Sequence, residues 1–198
     1  MSESSNKIKN FWNWFIVNEV ALKNMFTGKL VKSLRDELHQ ELKNIHPEIS
    51  FDIGWTDSPT TTFVISANDD ELLFPIVLET IKKAPKIDNW EFVAFRPRHP
   101  RKEFSMTINK DITISYSDLF FEPLANTDKF HAKLFIKNDS NYFLENHTPI
   151  TIMLHDIIGE HDNVKHIHWE SWGILSETTE RNLYPIIDII KQLDDFKR

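Results

Sequence analysis

No cysteine occurs in the 198 residues. This removes disulfides, thiolate nucleophiles and cysteine-ligated zinc together, and it fits a reducing compartment. Only four glycines are present. That scarcity speaks against glycine-rich phosphate loops and against the glycine-dependent turns of an all-β barrel, so a mixture of helices and strands is expected. Long hydrophobic runs are missing too. The apolar FWNWFIV is interrupted by Asn13 and too short to span a bilayer, and MSESSNKIKN before it lacks the basic start of a secretory leader. The expectation is a cytoplasmic protein with no membrane association. Positive charge is in deficit, 23 Lys and Arg against 30 Asp and Glu, a formal net charge of −7. Binding to nucleic acid is therefore disfavoured, because duplex affinity is dominated by cation–phosphate contacts.

What is present is the material of a firm core. Hydrophobic residues make up 40% of the chain, with six Trp and fifteen Phe, which sets it apart from disordered sequences. The length suits one domain. The expected fold is α+β, a mixed and mainly antiparallel sheet packed against helices. It is read as a single domain over 1–198, with an N-terminal helical hairpin at about 8–46 and a sheet-and-helix body at about 49–198.

The hairpin rests on periodicity. Ile8, Phe11, Trp12, Phe15, Ile16, Leu22, Met25 and Phe26 recur at three- and four-residue spacing, with Trp14 off the main stripe. Gly28 is a plausible helix stop, and Leu30, Val31, Leu34, Leu38, Leu42 and Ile45 mark a second helix ending before Pro47. Strands are expected at 49–55 and 61–67, joined through Thr56, Asp57, Ser58 and Pro59 as a hairpin.

The stretch from Thr61 to Arg98 is the most informative. Phe63, Ile65 and Ala67 alternate as in a strand, Asn68, Asp69 and Asp70 make a polar turn, Pro75 suits a first helical turn, and Phe92 to Phe95 form a second apolar run. Further strands are expected at 105–108, 112–120, 130–136 and 164–172, separated in part by Asp111 and by 123–128. Helices are expected at 142–158, with Pro149 near its start and Gly159 closing it, and at 184–196. Strand, strand, helix, strand can be written for 49–95 and again for 112–172. Leu73-Phe74-Pro75-Ile76-Val77 is echoed by Leu183-Tyr184-Pro185-Ile186-Ile187, although helix-entry chemistry accounts for the shared proline.

FWNWFIVNE, FVISANDDELLFPIVLETIKKAPKIDNWEFVAFRPR and IIGEHD together resemble a family of uncharacterised bacterial proteins, a domain of unknown function, over most of the chain. The resemblance implies a bacterial protein with an α+β fold. It carries no activity and no catalytic residue.

Two constellations could carry chemistry. Arg96, Arg98, Arg101 and Lys102 lie within seven residues, beside Pro97, His99 and Pro100. Arginine forks can hold a carboxylate or phosphate, which makes Arg96 and Arg98 candidate ligand-binding residues. The competing reading pairs them with acids of their own fold. The second is HDIIGEHDNVKHIH, with His155, His161, His166 and His168 among Asp156, Glu160 and Asp162. If 164–172 is a strand, His166 and His168 share a face and could be two metal ligands. No HExxH spacing is present, however, and surface histidines explain the pattern more simply. Asp69, Asp70 and Glu71 are explained by capping, Glu19 beside Trp12, Trp14 and Phe15 could be a pocket acid but is more simply a solvated helix-edge residue, and no Gly-x-Ser-x-Gly elbow supports esterase chemistry.

No motif names a reaction and no cofactor is expected. The leading expectation is a non-enzymatic module that binds another protein, in its specific form an immunity- or antitoxin-like factor against a basic toxin. The alternative is an anionic-ligand-binding domain or enzyme using Arg96 and Arg98. A self-associating protein, signalled by an exposed aromatic patch around Trp14 or Trp172 and by a homodimer, is the third class.

Overall fold

The structure is a computed structural model. It describes residues 3–24, 32–55, 60–99, 101–109, 112–125, 128–137, 142–175 and 182–198. The positions expected to act at Gly28, Leu30, Val31, Thr56 to Pro59, Pro100 and Asp111, and the apolar positions Met25 and Phe26, lie outside the described residues. The fold is α+β, with mixed and mainly antiparallel sheets and an N-terminal helix pair. The chain divides into two compact units, Met1–Arg96 and Pro97–Arg198.

In the first unit, α1 (Glu3–Asn24) and α2 (Lys32–Ile45) precede β1 (Ser50–Trp55), β2 (Thr61–Ser66), α3 (Phe74–Lys82) and β3 (Trp90–Ala94). The sheet order is β1-β2-β3, with β1 and β2 antiparallel and β2 and β3 parallel. Every residue of the central strand β2 is buried, as befits a strand covered on both faces. Of the stripe predicted on α1, Ile8, Phe11, Trp12, Phe15 and Leu22 are buried, whereas Ile16 is exposed. Phe15 packs with ring centroids 5.1 Å from Phe63, 5.0 Å from Trp90 and 5.3 Å from Phe92. The indole of Trp12 donates to the Thr80 carbonyl at 2.9 Å, tying α1 to α3.

The polar turn behaves as its residues dictate. Asn68 and Asp69 take positive φ of 50° and 65°, a region that Asn and Asp tolerate better than other side chains. The Asp70 carboxylate accepts from the Leu72 amide at 2.9 Å. A short 3₁₀ turn, Glu71–Leu73, leads into α3, with Pro75 in the first helical turn.

The second unit contains β4 (Ser105–Asn109), β5 (Ile112–Ser115), β6 (Leu119–Leu124), β7 (Phe130–Ile136), α4 (Tyr142–Glu145), α5 (Thr148–Ile158), α6 (Glu160–His166), β8 (Ile167–Ile174), β9 (Tyr184–Pro185) and α7 (Ile189–Phe196). β4 and β5 pair antiparallel, and a four-stranded sheet has the order β8-β7-β6-β9. Its core joins Leu119, Phe121, Ala132 and Leu134 from the sheet to Ile150, Met153, Leu154 and Ile157 from α5 and Ile189 and Leu193 from α7. In each unit an antiparallel hairpin is followed by a helical crossover to a third strand parallel to the second. The sequence pattern written twice thus corresponds to one topology used twice. The Leu-aromatic-Pro echo does not follow it. Pro75 lies in the crossover helix, whereas Tyr184 and Pro185 form β9 ahead of a 3₁₀ turn and α7.

Several boundaries differ from expectation. The strand foreseen over 112–120 is broken after Ser115, where Asp118 accepts from the Ser115 amide at 2.8 Å and hydroxyl at 2.7 Å and stabilises a 3₁₀ turn. The helix foreseen over 142–158 is two helices, α5 having Pro149 in its first turn. Gly159, at φ 83°, ends α5 and starts α6. Because α6 continues through His166, the strand begins at Ile167 and not at Val164. His166 and His168 therefore do not share a strand face.

Candidate functional site

Arg96 follows Phe95, a residue with left-handed φ of 67° whose amide donates to the Ile65 carbonyl at 2.8 Å. From the end of β3 its guanidinium reaches across β2 to β1. Nε donates to Asp52 Oδ2 at 2.6 Å, Nη1 to the Ser66 hydroxyl at 2.6 Å and Nη2 to the Ser50 hydroxyl at 3.4 Å. All of these partners belong to the first unit.

Arg98 is bound more extensively within the second unit. Its Nε donates to the Ile158 carbonyl at 2.8 Å, its Nη1 to both oxygens of Asp194 at 3.1 and 3.2 Å, and its Nη2 to Asp194 and Asp162. Lys197 donates to both oxygens of Asp162 at 3.1 Å. Burial opposes the charge on Arg98, but the Asp194 and Asp162 carboxylates outweigh it and raise its already high pKa. Burial likewise pushes the Asp162 carboxyl up, and hydrogen bonds from Lys197 and Arg98 overcome this and hold it below its ordinary range.

His99 and Arg101 of the basic segment are tied to Asp156 on α5. The His99 amide donates to the Asp156 carbonyl at 2.7 Å, and its ring Nδ1 lies 3.2 Å from the carboxylate. Arg101 reaches the same carboxylate at 3.4 Å and lies over the Phe104 ring at 5.0 Å. Tyr116 donates its hydroxyl to Asp156, and burial followed by that carboxylate raises the phenol pKa. Lys102 is exposed.

Of the four histidines of the cluster, His155 is buried in α5 and the other three separate into two groups. His161 and His166 on α6 flank Asp162, at 3.4 and 3.8 Å from its Oδ1. Burial and then Lys197 push His166 below the ordinary imidazole value. His168 instead lies beside His131, a residue of β7 with which it is in parallel register and 4.7 Å apart between ring centroids. Glu170 Oε1 is 2.6 Å from His131 Nδ1 and 3.9 Å from His168 Nε2, and Asp128 Oδ1 is 3.3 Å from His131 Nε2. His131 was missed in the sequence because it stands 37 positions from His168 (168 − 131). Only the pairing of β7 with β8 brings them together.

A different feature marks the first unit. Ile16, Val17 and Val20 are exposed at 47%, 83% and 64%. At about 100° per residue they form one arc of α1 that starts with Ile16 at the edge of the buried stripe, beside Trp12, and runs through Val20 to Val17 on the outward side. Beside them opens a recess of about 490 Å³ lined by Ile16, Glu19, Pro85, Lys86, Ile87 and Asp88. Glu19 accepts from the Trp90 indole at 3.0 Å. Trp14 and Trp172 are half-buried, the latter against His147 at 4.6 Å between rings.

Among the described residues no helix is long and apolar enough to cross a membrane. Compared with family models, curated proteins and solved structures, the chain matches none.

Proposed function

We propose that the protein is a non-enzymatic bacterial binding module that engages a basic partner protein through the outward side of α1. The observation that carries this reading is the exposure of Ile16, Val17 and Val20 together. Single exposed apolar side chains need no explanation. Three β-branched ones within two turns do, because such residues lower helix propensity where packing gives nothing in return. Their i, i+1, i+4 spacing suits a helix face that lies in a partner's groove, and the adjacent recess gives that face a concave margin.

The formal net charge of −7 favours a basic partner, since opposite net charge speeds encounter and disfavours acidic competitors. An immunity- or antitoxin-like factor that neutralises a basic toxin is the specific form of this proposal. The anion-binding alternative at Arg96 and Arg98 draws less support from the geometry. A ligand would have to displace Asp52 from one arginine and Asp194 and Asp162 from the other.

The test is purification of the protein from its native cells at low ionic strength. A basic protein retained in fixed stoichiometry and released by salt is expected; a reproducible monomer with nothing retained would contradict the proposal.

A further inference from the structure

We propose that His131, His168 and Glu170 form a binding site for a borderline divalent metal ion of the zinc, cobalt and nickel class, with Asp128 orienting His131. Parallel register sets His131 beside His168 on adjacent strands. The third ligand comes from a bulge. Trp169 pairs with Ala132 and Ser171 with Lys133, so Glu170 is the extra residue of β8. A bulge locally re-aims a side chain, and such irregularities concentrate beside functional sites. Here the Glu170 carboxylate reaches His131 at 2.6 Å while standing 3.9 Å from His168.

One ligand atom from each of the three side chains lies within 4.8 Å of the others. With metal–ligand bonds of about 2.0–2.2 Å, ligand atoms in a tetrahedral or octahedral site are about 3.0–3.5 Å apart. The observed separations bracket that spacing, and side-chain rotation is enough to reach it. Two imidazoles and one carboxylate favour zinc, cobalt or nickel over magnesium or calcium, which take all-oxygen sites. Three protein ligands also leave positions open for water or a donor from another molecule.

Asp128 supplies the outer support that such sites carry. Its carboxylate faces His131 Nε2 at 3.3 Å, so a proton held there leaves the Nδ1 lone pair to the metal. The His131 side chain is only 13% exposed whereas that of His168 is 54% exposed. One ligand is thus held by the sheet and the other is free to adjust. The His161, Asp162 and His166 group also has suitable spacing. There, however, Arg98 and Lys197 already occupy the carboxylate with positive charge, which repels a cation.

The experiment is calorimetric titration of the untagged, chelator-treated full chain with Zn²⁺, together with Co²⁺ absorption spectra. One equivalent of metal and a d–d band of nitrogen and oxygen coordination are expected. His168→Ala and Glu170→Gln should abolish both while keeping the circular dichroism of the wild type, Asp128→Asn should weaken affinity by about 10- to 100-fold, and a His161→Ala/His166→Ala variant should bind as the wild type does. Absence of binding, unchanged binding in His168→Ala, or loss only in the His161/His166 variant would overturn the assignment.

Discussion

Arg98 donates to groups from three helices, the last carbonyl of α5, Asp162 of α6 and Asp194 of α7, so its removal takes this cation from Asp194 and leaves Asp162 to Lys197. Arg98→Ala should lower stability by about 2–3 kcal/mol, less than a fully buried pair because its side chain is 26% exposed; urea midpoints measure this. Asp162 gives a pH signature. Its folded pKa is lowered, so the unfolded chain takes up a proton more readily, and the stability it contributes is present above about pH 4 and lost as pH falls through the folded value. Asp162→Asn should therefore cost about 1–2 kcal/mol near neutrality, with the gap to wild type narrowing as pH falls below about 4 in parallel urea titrations. The sequence made the basic segment conspicuous, and pairing with acids of the fold was one of its two readings. The partners were not legible, because Asp162 and Asp194 stand 64 and 96 positions from Arg98 and only the packing of α6 and α7 brings them to it.

Helix α1 has two apolar sides that answer to different forces. The inner one is visible in the sequence because Ile8, Phe11, Trp12 and Phe15 recur at helical spacing. Phe15→Ala should cost about 3–5 kcal/mol, since it empties the centre of an aromatic cluster. Val17→Asp with Val20→Asp should change thermal stability little, because both side chains already face water. The outer side was only partly legible. Ile16 was assigned to the buried stripe, and periodicity alone does not tell which edge of a broad apolar arc the sheet covers. Strand and helix identities were read well where patterns were long, as in β2 and α2, and poorly at junctions. The break at Tyr116–Asp118 depends on the hydrogen bonds between Ser115 and Asp118. The continuation of α6 through His166 was hidden by the β-like run that follows it, and this separated His166 from His168.

Over the whole molecule, the absence of cysteine and the surplus of acids say more about partners than about architecture. With a net charge of −7, association with a basic protein should slow markedly between low and physiological salt, as surface charges more than a Debye length of about 8 Å apart become screened. Stopped-flow association rates at several ionic strengths check this. A salt-independent rate would leave the charge without a role in recognition. The strand, strand, helix, strand pattern of each unit was also legible at this scale, whereas the strand order needed the pairing itself and the division after Arg96 was not marked by any linker-like composition. The most direct measurement of the central claim is affinity capture of the co-purifying basic partner by wild-type protein and by the Val17→Asp/Val20→Asp variant at matched thermal stability. The wild type should retain the partner and the variant should lose it; equal retention by both would show that the outward side of α1 is not the binding surface.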